Sequence, residues 1–133
     1  MTGAATTTTP TGRTERLVAA LAEGGFLLWA TVTVGIGAWM FHLLFLSAFA
    51  RLACTHPGVV WVLHGATLAT AAPTVAGVWA SLLLVRHCRD PEDAGTVAGR
   101  TRFLGVVGLL VNVISLALIV LEGVYVPFLS PCA

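Results

Sequence analysis

Three long apolar stretches dominate this chain, at about 25–50, about 59–85 and about 103–129. The first two hold no Asp, Glu, Lys or Arg, and the third holds only Glu122. Each is at least as long as the roughly 20 residues needed to cross a ~30 Å hydrocarbon core. Backbone N–H and C=O groups in lipid must pair within their own segment, so the stretches read as helices. Period-two alternation, the mark of a barrel strand, is absent. The expected fold class is an all-α membrane protein, a bundle of three transmembrane helices over 25–133. An N-terminal segment, 1–24, precedes it.

Composition agrees. Hydrophobic residues make up 57% of the 133 residues and charged residues 10%, where a soluble domain carries roughly 25% charged. Mean hydropathy is +0.92, so the expected partner of the surface is the lipid bilayer. A net charge of +1 offers no basic face for nucleic acid. All seven basic residues are Arg, which together with abundant Ala, Val and Gly points to a GC-rich, bacterial genome and hence to the cell (plasma) membrane.

Before the first helix, Met1–Gly12 is small and polar, with Thr6, Thr7, Thr8 and Thr9 ahead of Pro10. It cannot bury apolar area and is expected to be disordered. Arg13–Glu23 reads as a short amphipathic lead-in through Leu17, Val18 and Leu21. Ala48-Phe49-Ala50 has the small-x-small form of a signal cleavage site. The apolar run before it far exceeds the 7–15 residues of a signal core, so a retained helix is expected.

The arginines set an expected orientation. Arg13 and Arg16 precede the first helix, and Arg86, Arg89, Arg100 and Arg102 lie between the second and third. Arg51 stands alone between the first and second, and no Arg follows the third. This places the N-terminus and second loop in the cytoplasm, and the first loop and C-terminus outside.

In lipid, helices associate through small residues and polar contacts. The second helix offers Gly65, Ala69, Pro73, Gly77 and Ser81 at spacings of four, with Pro73 expected to kink it. The third offers Gly105, Gly108, Asn112, Ser115, Ile119 and Glu122 at spacings of three and four, a coiled-coil-like seam. The first offers Thr31, Gly35, Ala38, His42 and Phe49 on one face.

At 1.5 Å per residue, His42, His64 and Glu122 fall ~12, ~8 and ~10 Å below the outer ends of their helices. Ionisable residues inside a membrane are expensive and mark candidate sites. Two histidines on different helices suit haem b. Two histidines with a carboxylate suit copper or iron. A proton- or quinone-handling cluster and a purely structural polar contact are the other readings, and the sequence leaves all four open. Cys54 and Cys132 both fall outside under this topology, where a disulfide is expected; copper binding with His56 is the alternative. No P-loop, GxGxxG turn or nucleophile with a base is present, so catalysis is not expected.

The run Glu122-Gly123-Val124-Tyr125-Val126-Pro127-Phe128-Leu129-Ser130-Pro131-Cys132 carries a likeness, as do Trp39, His42, Cys54, Leu63-His64 and Arg102-Phe103-Leu104-Gly105. In these the chain resembles small three-helix membrane proteins encoded beside bacterial haem-copper cytochrome oxidases and their copper or haem assembly factors. The likeness spans the helices but not the N-terminal tail. That group more often ends in Asp-Pro-Cys; Ser130 here removes an acidic donor from the tail. The resemblance implies a non-enzymatic accessory or assembly protein of a respiratory terminal oxidase, in contact with a larger membrane complex. A small redox protein that itself binds haem or metal, and a purely structural subunit, are the alternatives.

Overall fold

A computed structural model describes residues 12, 16, 25–56, 58–87 and 97–125, without the side chains of Cys54, Val97 and Ala98. Three α-helices account for nearly all of them: α1 (Gly25–Thr55), α2 (Val59–His87) and α3 (Val97–Tyr125). Stretches of all three are long and apolar enough to cross a membrane: Gly25–Ala53, Val59–His87 and Gly99–Tyr125, at mean hydropathies of 1.8, 1.8 and 2.8.

The helices outrun the apolar stretches. α1 continues five residues past Ala50, and α3 begins at Val97 rather than at Phe103. Apolar length marks the hydrocarbon, whereas a helix persists into the headgroup layer. Arg100 and Arg102, both exposed, lie in this added first part of α3, where long charged side chains can reach water beyond an apolar layer. The lead-in Arg13–Glu23 apart from Arg16, the helix end expected at Leu129 and the Cys54–Cys132 pair lie outside the described residues or side chains.

A three-residue connection joins α1 to α2 and forces them antiparallel. His56 N–H bonds the Leu52 carbonyl at 3.0 Å, and Val59 N–H bonds the His56 carbonyl at 3.0 Å, which closes the turn. All three helix pairs pack together, α2 against α3 most extensively. Arg86, Arg100 and Arg102 therefore share one end of the bundle, and Trp61 and Tyr125 share the other. Exposed Trp61 and Trp79 stand about 27 Å apart along α2 at 1.5 Å per residue, close to the hydrocarbon thickness and consistent with paired aromatic belts.

The surface is apolar, and the interior mixes polar side chains with a few apolar ones. Phe26, Trp61, Leu68 and Phe103 are among the most exposed residues, while Thr31, His42, Thr74, Ser81, Asn112 and Ser115 are buried. The α3 seam packs as its spacing predicts, with Gly105, Gly108, Asn112, Ser115 and Ile119 all buried. The ridge read along α2 requires correction. Gly77 and Ser81 are buried, but Gly65, Ala69 and Pro73 are exposed. The buried line runs instead through Leu63, Thr70, Thr74, Gly77, Ser81 and Leu84. Steps of four overshoot a 3.6-residue turn and drift around the helix, whereas alternating threes and fours hold one face.

Pro73 sits inside α2 as one continuous element. Its ring denies the ladder an N–H, and the surrounding threonines bond backward to carbonyls. Thr74 Oγ1 donates to the Thr70 carbonyl at 2.9 Å, and Thr67 Oγ1 to that of Leu63 at 3.1 Å. The carbonyl that Pro73 leaves without its ladder N–H is that of Ala69, and these threonine bonds go to neighbouring carbonyls instead.

At mid-bundle Asn112 clamps α3 to α1. Its Oδ1 accepts from Gly35 N–H at 2.8 Å and its Nδ2 donates to the Thr31 carbonyl at 2.9 Å. Those two backbone groups are the i and i−4 partners of one helical turn, so the amide bridges a rung of the α1 ladder. A Cβ at Gly35 would collide with Asn112 Oδ1, and one at Gly77 would lie 2.5 Å from Val34 Cγ1 and 3.0 Å from Asn112 Oδ1. Glycine at both places is what lets the three helices meet there.

Candidate functional site

Toward the Tyr125 end the seam reaches its ionisable residues. His42 is fully buried on α1, two turns beyond Gly35 on the same face. Glu122 projects from α3 one step past the buried Ile119. The structure brings the two together, with His42 Nε2 3.9 Å from Glu122 Oε2. That is too long for a hydrogen bond, and neither atom has a hydrogen-bond partner among the described residues.

The other atom of each group is held. Trp39 Nε1 donates to Glu122 Oε1 at 3.0 Å. Trp39 precedes His42 by three residues, so both lie on one side of α1. His42 Nδ1 faces Thr70 Oγ1 on α2 at 3.4 Å. The Thr70 hydroxyl is directed at the carbonyls of Ala66 and Thr67, at 2.9 and 3.1 Å. Its oxygen is left to accept, so the proton of a neutral imidazole belongs on Nδ1. Nε2 then turns its lone pair toward Glu122. This tautomer is assigned from the network.

His64 holds a different position. It is half-buried on α2, and its ring packs edge-on against Trp61, with centroids 6.3 Å apart. A residue's depth along a helix does not fix its direction around the axis. Leu63 takes the buried line at that turn, and His64 is rotated from it by about 100°. Among the described residues, no group of three or more His, Cys, Asp or Glu side chains could hold a metal ion. His56, in the α1–α2 connection, is exposed and bonds Thr55 Oγ1 at 2.9 Å.

Two members of this cluster are not among the ionisable residues that sequence reasoning singled out by depth. Trp39 carried a signal, its i, i+3 relation to His42. Thr70 carried none beyond its place in a threonine-rich helix. Gly123 closes the layer from α3, where a Cβ would lie 2.6 Å from Thr67 Cγ2. The result is a four-residue polar layer of Trp39, His42, Thr70 and Glu122, drawn from all three helices. No family model matches the chain, and no curated protein or solved structure matches it.

Proposed function

We propose that this chain is a non-enzymatic accessory or assembly protein of a respiratory terminal oxidase in a bacterial cell membrane. In this reading the N-terminus and the α2–α3 loop are cytoplasmic and the α1–α2 turn lies outside. What supports it is the behaviour of the residues that carry the resemblance. Glu122 lies 83 residues from Trp39 in sequence, yet it is 3.0 Å from Trp39 and 3.9 Å from His42. The apolar outer face leaves the long exposed sides of all three helices for lipid or a membrane partner.

The test is deletion in the native host, with oxidase haem and copper content measured in membranes and co-purification assayed in a mild detergent. A fall in assembled oxidase, restored by the wild-type chain, is expected. Unchanged oxidase with no co-purifying subunit would contradict it. An absorption spectrum of the purified protein addresses the competing redox reading, since a Soret band that shifts on reduction would identify a haem protein. Tag accessibility in intact cells tests the orientation; a C-terminal tag reached only from the cytoplasm would reverse it.

A further inference from the structure

The facing pair of unpartnered atoms calls for something between them. His42 Nε2 and Glu122 Oε2 are both buried, both lack a partner among the described residues, and lie 3.9 Å apart. By the Thr70 network, Nε2 of a neutral ring presents a lone pair to the carboxylate. Two acceptors turned on one another in a low-dielectric layer cost heavily unless a donor joins them. At hydrogen-bond lengths of about 2.8 Å to each atom, a single water fits this separation with a bend near a right angle. One such water, donating an O–H to each, satisfies both atoms.

Charge makes a second demand. A carboxylate beside a neutral imidazole leaves this layer at −1. Among the described residues, the groups around it supply no compensating cation. From α1 the pair is faced by Trp39, with Arg51 exposed nine residues beyond His42. From α2 it is faced by Thr70, and the titratable residue of that helix nearest in sequence, His64, packs its ring against Trp61. From α3 the neighbouring polar residue is exposed Tyr125. Arg86, Arg100 and Arg102 stand at the opposite end of the bundle. One added proton makes the pair formally neutral, the condition hydrocarbon penalises least.

We infer that His42 and Glu122 form an internal one-water, one-proton binding site. Moving the proton from the carboxyl to the ring breaks the Oε2–H bond, passes a proton through the water, and forms an Nε2–H bond. The water is regenerated and net charge is unchanged. Glu122 is a quarter exposed while His42 is fully closed. Past His42 the seam is sealed by Ile119, Thr74 and Asn112, each fully buried. A metal is a poorer occupant, because Trp39 already holds Oε1 and only two donors remain. This inference is independent of any oxidase partner.

Infrared difference spectroscopy of the full chain in lipid nanodiscs, in ordinary water against H2-18O, tests it. The expected result is a buried-water O–H band that shifts with the isotope in the wild type and disappears in Glu122→Gln and His42→Gln. In His42→Gln the proton has only the carboxyl to occupy, so a carboxylic-acid C=O band that shifts in D2O should grow, and it should be absent in Glu122→Gln. Absence of the isotope-sensitive water band in the wild type would overturn the inference whether or not the variants fold. So would stoichiometric metal in the purified protein that is lost in His42→Ala.

Discussion

Two polar layers stack in the same bundle and obey opposite rules. At mid-bundle, Asn112 spends its amide oxygen and one amide proton on a single rung of α1, and glycines at 35 and 77 bring the backbones close around it. Some ten residues farther along α3, Trp39, Thr70, His42 and Glu122 are held at one atom each, yet the two facing atoms of the ionisable pair are left over. A layer whose polar atoms are met by fixed neighbours does structural work. A layer with buried polar atoms to spare is where a ligand, a proton or a water belongs.

The contrast is sharpest under substitution, with unfolding followed by circular dichroism in mixed micelles. Gly35→Leu should be the most damaging change, because its side chain meets the Asn112 carboxamide and the α3 backbone at 3.0 Å; overpacking on this scale costs about 3 kcal/mol. Asn112→Leu should cost less, about 1–2 kcal/mol, since the two lost bonds are worth roughly 0.6 kcal/mol each in a membrane interior and Gly35 N–H can bond Thr31 carbonyl alone. The double change His42→Leu with Glu122→Leu should lie within about 1 kcal/mol of wild type in either direction, because replacing both members of a buried polar pair by apolar side chains is often neutral. A loss larger than that of Asn112→Leu would assign the His42 layer a structural role and erase the contrast. Gly65→Ala should be nearly silent, within about 0.5 kcal/mol, since a Cβ there meets nothing within 4 Å.

The helices and the α3 seam were legible in the sequence because both rest on local patterns, an uncharged run and an alternation of threes and fours. The start of α3 was not, because Arg100 and Arg102 end the apolar run without ending the helix. The α2 face was misread through Gly65, Ala69 and Pro73 because small residues at spacings of four look like a packing ridge but wind off the interface. Of the candidate site, His42 and Glu122 stood out as ionisable groups in apolar helices, and the structure sets them face to face. His64 shares their depth but not their direction, and direction depends on how three helices rotate against one another. The roles of Trp39 and Thr70 depend on that same rotation.

The facing of His42 and Glu122 is the claim on which the account depends. Magic-angle-spinning NMR of the chain in bilayers, labelled on histidine ring nitrogens and glutamate carboxyl carbons, measures it directly. A clear dipolar coupling between His42 Nε2 and the Glu122 carboxyl carbon is predicted, in keeping with the 3.9 Å separation of nitrogen and oxygen. Absence of that coupling, or a Glu122 carboxyl coupled instead to the ring of His64, would contradict it.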